Sequence, residues 1–329
     1  MENLLVNKVA AVKEVRQAAE YQKKKQACIL TGLSGSSKPV FFAAADKLLG
    51  GKGSMAFITA SREEIRTYRR ELNYLYPDLP MQELYPVSLP RVQADTQSLE
   101  LQAGRAAALR FLSGEERGIV FITAEALQQK QLRPSGMSGK ALQLAVGEEH
   151  EQRNIAAALL DLGYERTEQV DALGQFCLRG DILDVYPINS SAAVRIEWFD
   201  NELDAMRSFD VDSQRSLQTL TSIKIAPLKV DESFSYDADI FEYCAADTMV
   251  VVDEPVHVFG MLEKLDKENK EHASELFGKQ ELIEQLAANG AVLVSALGHS
   301  YLQQLPSLNI PVRAVAPYNK NTNLLVEDL

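Results

Sequence analysis

A chain of 329 residues with 46% hydrophobic content has room for about two or three domains with sizeable cores. Its formal net charge of -12, from 34 basic and 46 acidic side chains, excludes a surface that grips nucleic acid over its whole extent, so an anionic partner must meet a local basic patch. Cys28, Cys177 and Cys244 lie far apart without CxxC or Cys/His spacing, which indicates neither a disulfide framework nor a zinc site and fits a reducing cytoplasm. Met1 to Leu5 lacks the basic-then-apolar pattern of a leader, and no apolar run approaches the roughly 20 residues needed to span a bilayer. A soluble, cytoplasmic chain is expected.

Val9 to Gln26 has helical periodicity and ends in Lys23-Lys24-Lys25, which reads either as a solvated helix end or as a phosphate-binding patch. Apolar strands and amphipathic helices then alternate: Ala27 to Thr31, a helix from Val40 to Leu49, Met55 to Thr59, and a helix from Ser61 to Leu75 with a Ser61/Glu64 capping box. A helix from Thr96 to Leu112 and a strand from Gly118 to Ile122 follow. This rhythm predicts βαβ units around a parallel sheet. Loop formers from Pro134 to Lys140 mark a change.

Beyond them the runs are shorter and more β-like: Leu142 to Val146, Tyr164 to Val170, Gln175 to Leu178, Ile182 to Tyr186 and Val194 to Phe199, with one helix near Asn154 to Leu162. They predict a small α+β module, antiparallel in its sheet, inserted into the larger domain. The α/β rhythm is expected to resume at Ser222 to Ala226 and to continue through Thr248 to Glu254, helical sequence from Val256 to Asn289 and a strand from Ala291 to Ser295. The domain limits expected are 1–125, 126–213 for the insertion, and 214–329. Asn321 to Leu329 shows no finishing element and is read as part of a longer chain.

Gly32-Leu33-Ser34-Gly35-Ser36-Ser37-Lys38-Pro39 has the setting of a Walker A loop, between a strand and a helix. In a competent loop, backbone N–H groups face the phosphates, a lysine reaches the β and γ phosphates and a hydroxyl holds Mg²⁺. Here Lys38 is kept, but Ser37 stands at the glycine position, and Pro39 removes both the Mg²⁺ ligand and a backbone donor. The loop reads as a degenerate nucleotide site. Val250 to Glu254 has the form of a Walker B strand; equally, Asp253 and Glu254 precede Pro255 as acidic groups at a helix N-terminus.

The richest stretch runs from Tyr164-Glu165-Arg166-Thr167 through Gly174-Gln175-Phe176-Cys177-Leu178-Arg179-Gly180-Asp181-Ile182-Leu183-Asp184-Val185-Tyr186-Pro187 to Trp198-Phe199-Asp200-Asn201-Glu202-Leu203-Asp204 and Phe209-Asp210-Val211-Asp212-Ser213-Gln214-Arg215-Ser216. Arg166, Phe176 and Arg179 are expected on one exposed sheet face, either as a protein-binding hot spot or as ordinary cross-strand pairs with neighbouring acids. Arg179-Gly180-Asp181 also spells an adhesion tripeptide, which is coincidence in a cytoplasmic chain.

These strings closely resemble the N-terminal region shared by bacterial UvrB and the transcription-repair coupling factors. The degenerate loop, and the lack of a tyrosine-rich segment between Tyr85 and Gly104, favour the coupling factors. The resemblance implies a degenerate P-loop NTPase-like (UvrB domain 1-like) α/β domain flanking an insertion that docks onto the damage-recognition ATPase UvrA. It assigns UvrA binding to Arg166 and Arg179, with Phe176 beside them, and marks Cys177 as a departure where UvrB carries a further arginine. It also implies that ATP, Mg²⁺, DNA and RNA polymerase belong to other domains of the full-length family, and that a C-terminal domain of the same chain covers the UvrA surface until the motor engages. No motor motif occurs in this sequence. The leading expectation is a noncatalytic adaptor; the alternatives are a nucleotide-dependent enzyme using Lys38, Asp253 and Glu254, and a DNA binder using Lys23 to Lys25 and scattered arginines.

Overall fold

The computed structural model describes residues 4–89, 99–134, 141–228, 236–296, 304–310 and 312. Its elements in chain order begin with α1 (Leu4–Ala10), α2 (Lys13–Lys23), β1 (Cys28–Thr31), α3 (Ser37–Leu49), β2 (Met55–Thr59), α4 (Arg62–Leu75), β3 (Met81–Leu84), α5 (Leu99–Ser113), β4 (Ile119–Thr123), α6 (Ala124–Gln128) and β5 (Gln131–Leu132). Then come β6 (Leu142–Ala145), α7 (Gln152–Asp161), β7 (Glu165–Arg166), β8 (Gln175–Arg179), β9 (Ile182–Val185), β10 (Ala193–Phe199), β11 (Glu202–Phe209), β12 (Ser216–Thr219) and β13 (Ser222–Ile225). The chain returns through β14 (Tyr236–Ala238), β15 (Met249–Asp253), α8 (Pro255–Glu268), α9 (Lys279–Ala288), β16 (Val292–Ser295) and β17 (Ser307–Asn309).

The larger unit is the parallel sheet that the strand and helix rhythm predicts, in the order β17-β1-β16-β15-β2-β4-β3. Its central strands are apolar throughout because both faces are covered. Met55, Phe57, Ile119, Phe121, Met249 and Val251 point into a core closed by α1 to α4, whereas Ala56, Ile58, Val120, Ile122, Val250 and Val252 point into a core closed by α5, α6, α8 and α9. Single residue steps along a strand therefore switch cores. The capping box at the start of α4 forms as expected, with the Ser61 backbone N–H donating to Glu64 Oε2 at 3.0 Å.

The expected single helix from Val9 to Gln26 is two helices broken at Val12, whose ψ of 135° is extended. The break lets α1 and α2 pack separately on α3, burying Val6 and Ala10 as well as Val15 and Ala18. Helix α5 ends at Ser113, one residue past its expected end; residues 96–98 of its expected span lie outside the described residues, as do the expected loop at Pro134 to Lys140 from 135 onward and residues 321–329.

The insertion is a six-stranded sheet, β12-β11-β10-β9-β8-β7, antiparallel except for the short β7 and β8 pair, with α7 packed on one face. Strand β11, which carries charged residues between its apolar ones, completes a hairpin with β10. Ser222–Ile225 does not resume the large sheet. As β13 it pairs antiparallel with β6, its burial alternates, and Ile225 fills the core of the insertion. A strand wet on one face suits such a two-stranded edge and not a sheet covered on both sides. Thus strands beyond residue 213 still hydrogen-bond within the inserted unit.

Among the described residues, no helix is long and apolar enough to cross a membrane.

Candidate functional site

Two places carry the residues singled out in the sequence. The first is the loop after β1. Gly32 has φ +88°, and a Cβ there would lie 2.7 Å from the Ile310 carbonyl oxygen, so the strand end at β17 closes directly over it. Gly32→Ala is expected to cost about 1–2 kcal/mol or more, since the left-handed backbone and the contact both penalise a side chain; urea unfolding measures it. Gly35, also at positive φ, has open space around it.

Ser37 begins α3 and turns its hydroxyl back on the loop, accepting from the Ser34 N–H at 2.9 Å and donating to the Ser34 carbonyl at 2.7 Å. Pro39 is buried in the first helical turn. Lys38 is also buried, its Nζ 2.6 Å from Asp253 Oδ1 and 2.7 Å from Glu254 Oε1. Pro255 takes the first position of α8 as its sequence predicts, but no side-chain cap bond forms there and both carboxylates turn to Lys38. Glu254 is held further by the Ala296 N–H and the Ser295 hydroxyl, at 3.0 and 3.2 Å, with its own backbone in the left-handed region.

Burial alone would draw the Lys38 ammonium toward neutrality, but hydrogen bonding and charge from Asp253 and then Glu254 outweigh it and leave its pKa above the ordinary lysine value. Burial likewise raises Glu254, and Lys38 with the two neighbouring donors reverses this, holding it below the ordinary glutamate value. The Tyr68 phenol lies against Asp253, and burial followed by that negative charge pushes its pKa far up. The Walker-type lysine and acids thus satisfy one another.

The second place is the face of the inserted sheet opposite α7. Residues on β8 alternate: Phe176 and Leu178 face the α7 core, while Cys177 and Arg179 face the other way. Phe176 is 0% exposed and does not share a surface with Arg166 and Arg179, contrary to the expectation from spacing. Residues 176 and 179 cannot lie on the same face of a regular strand, and Arg166, although in register with Phe176, is exposed where Phe176 is covered.

By register Arg166 belongs to the face of Phe176 at the sheet edge, and it meets Arg179 only in acting on the same thiol. Arg166, on the edge strand β7, and Arg179, whose side chain is 55% exposed, both act electrostatically on the Cys177 thiol, as does Arg195 of β10. Cys177 is buried, its Sγ donating to the Glu168 carbonyl oxygen at 2.9 Å, and burial raises its pKa. Gly180, at φ +57°, makes the tight turn from β8 to β9 that sets Arg179 at the rim.

Beneath the arginines lies a residue that the spacing argument overlooked. Asp184, only 2% exposed at its side chain, opposes Cys177 on one side and Arg195 on the other. Arg195 grips it with two bonds, Nε to Oδ1 at 2.6 Å and Nη2 to Oδ2 at 2.8 Å, and Arg179 Nη2 lies 3.3 Å from Oδ2. Arg195 also lies 4.7 Å over the Phe209 ring. An acid inside the apolar run Ile182 to Tyr186 was the signal for this anchor. The arrangement presents guanidinium groups on a rigid sheet, fixed from below by a buried carboxylate.

Residues 142–230 match the UvrB interaction domain family. That segment resembles a UvrB interaction domain. Both arginines lie in it, as do Asp184 and Arg195, and its span runs through β13 as the strand pairing does. Similar proteins include the transcription-repair-coupling factors of Bacillus subtilis (36% identical over 203 residues, 61% of this chain), Staphylococcus haemolyticus (32% over 202 residues, 61%) and Escherichia coli (28% over 165 residues, 50%). The matched segments amount to 17%, 17% and 14% of those relatives' lengths. The matched segment therefore sits in a chain that is similar to a small part of the transcription-repair-coupling factors.

Proposed function

We propose that this chain is a noncatalytic adaptor that recruits UvrA to stalled RNA polymerase in transcription-coupled nucleotide-excision repair, using the arginine face of its UvrB interaction domain. The observation that carries the reading is the match of residues 142–230 to the UvrB interaction domain family, a segment that holds the exposed Arg166 at the sheet edge and the exposed Arg179 over an Asp184 anchor. Exposed arginines on a preorganised sheet are the composition of an interface hot spot. Phe176 supports them from the core and touches no partner. The α/β unit serves as scaffold, its two parts flanking an insertion that extends past residue 213 to include β12 and β13. RNA polymerase, DNA and a C-terminal domain that masks the UvrA surface belong to other parts of a full-length protein.

The absence of catalysis rests on the loop after β1. Lys38 is engaged by Asp253 and Glu254, and Pro39 offers no metal ligand. A triphosphate would have to break a buried pair before it gained any contact with the lysine. Mg-ATP is accordingly expected to leave the melting temperature unchanged at millimolar concentration, and a thermal shift abolished by Lys38→Ala would restore the nucleotide-dependent reading.

The adaptor reading is tested by retaining UvrA on the immobilised chain. Arg166→Ala and Arg179→Ala should each weaken retention by roughly 2 kcal/mol in binding free energy, with circular dichroism unchanged. Retention equal to that of the unsubstituted chain removes these residues from the interface.

A further inference from the structure

Helix α4 of the larger unit carries four arginines in a chain whose net charge is -12. They are used differently. Arg62 is committed to Glu83 at 2.6 Å. Arg69 donates to the Met81 carbonyl oxygen at 3.2 Å and lies 5.4 Å over the Phe121 ring, which pins it against the edge strand β3. Arg66 and Arg70 are exposed and form no ion pair among the described residues. They sit one turn apart on the same helix face, and Tyr74, 84% exposed, continues the stripe by one more turn.

The helix has a division of labour that leaves this stripe over. Ile65, Tyr68 and Leu72 fill the core, and Glu71 accepts from the Ser36 hydroxyl beside the degenerate loop. The arginine side instead borders an open groove of about 620 Å³, lined by Arg66, Arg69, Arg70 and Asn73 and by the 77–81 connection into β3. Asp78 is the one carboxylate among the lining residues, and the exposed Glu63 lies three positions before Arg66 on the helix. The connection brings prolines and aliphatic groups, Pro77, Leu79, Pro80 and Met81, to the groove.

We propose that this groove binds the phosphodiester backbone of single-stranded nucleic acid, with Arg66, Arg69 and Arg70 on phosphates and Tyr74 as a stacking platform for a base. A positively charged track beside an exposed aromatic ring is the pairing that holds single strands without reading sequence. An acidic peptide would satisfy the arginines but leaves Tyr74 and the apolar floor without a role. The site is on the opposite unit from the UvrB interaction domain and does not depend on the adaptor reading. It is also separate from Lys23 to Lys25, where Lys23 is paired with Glu20 at 2.8 Å.

The test is fluorescence anisotropy with a labelled 20-nucleotide oligothymidylate and, in a second arm, a duplex of the same length, over a salt series. The chain should bind the single strand with an affinity that falls as salt rises, and Arg66→Glu with Arg70→Glu should weaken it by at least roughly tenfold and flatten the salt slope. Tyr74→Ala should weaken the single-strand arm and leave the duplex arm unchanged. Circular dichroism and UvrA retention of these variants should match the unsubstituted chain. The proposal is overturned by no salt-dependent binding, by equal binding by the Arg66/Arg70 variant, or by loss of binding on Lys23→Glu with Lys24→Glu instead. Competition by polyglutamate as effective as by unlabelled oligonucleotide, at matched charge, would assign the groove to acidic protein partners and likewise overturn it.

Discussion

Lys38→Ala is expected to lower the stability of the α/β unit by about 3 kcal/mol or more, because it leaves Asp253 and Glu254 side by side with no cation between them. Such an effect is large beside the total stability of a typical domain. The loss comes from the unpaired acids and not from the missing ammonium as such. Lys38→Met combined with Asp253→Asn and Glu254→Gln should therefore recover much of it, which urea unfolding of the single and triple variants measures. If the single variant were neutral, the ion pair would have no structural role.

The sign of the pH dependence follows from the two shifts. Glu254 is held below its ordinary value, so its contribution is present above the normal glutamate range and disappears as pH falls through the folded pKa. Lys38 is held above its ordinary value, so its contribution is present below the normal lysine range and disappears only as pH rises through the folded pKa. Between those limits the stability difference between the unsubstituted chain and Lys38→Met should be flat. It should shrink on acidification.

Phe176→Ala is expected to cost about 3–5 kcal/mol, since it empties the centre of the core between the inserted sheet and α7. Its effect on UvrA binding should then follow unfolding of the insertion: binding measured below the new melting transition stays near normal while the transition itself moves down. Loss of affinity with an unchanged transition would put the ring at the interface after all. This separates Phe176 from Arg166 and Arg179, for which affinity should fall and the transition should stay.

The large sheet was legible in the sequence because its signals are local. Met55 to Thr59 and Met249 to Asp253 are apolar at every position, and the helices between them carry their own caps and stripes. The insertion was legible as a change of rhythm, but its boundary was not: Ser222 to Ala226 has the composition of a strand, and only long-range pairing with Leu142–Ala145 decides which sheet it joins. The break at Val12 was likewise hidden, because neither glycine nor proline marks it and packing on α3 produces it.

At the candidate site the residue types were legible and their faces were not all so. The arginines were found from a string, yet spacing put Phe176 beside them, where alternation along β8 buries it. Asp184 and Arg195 lie 11 positions apart and meet only through the antiparallel register of β9 and β10. The Lys38 pair spans 215 positions to Asp253. Reading Asp253 and Glu254 as a Walker B remnant or as helix-end acids omitted the third possibility that the fold provides, a counter-charge for the Walker-type lysine.

The adaptor account is tested most directly by calorimetric titration of UvrA into the chain carrying both Arg166→Ala and Arg179→Ala. The account predicts that heat of binding disappears or the affinity falls by roughly 100-fold or more, while the melting temperature remains that of the unsubstituted chain. An isotherm superimposable on that of the unsubstituted chain would contradict it.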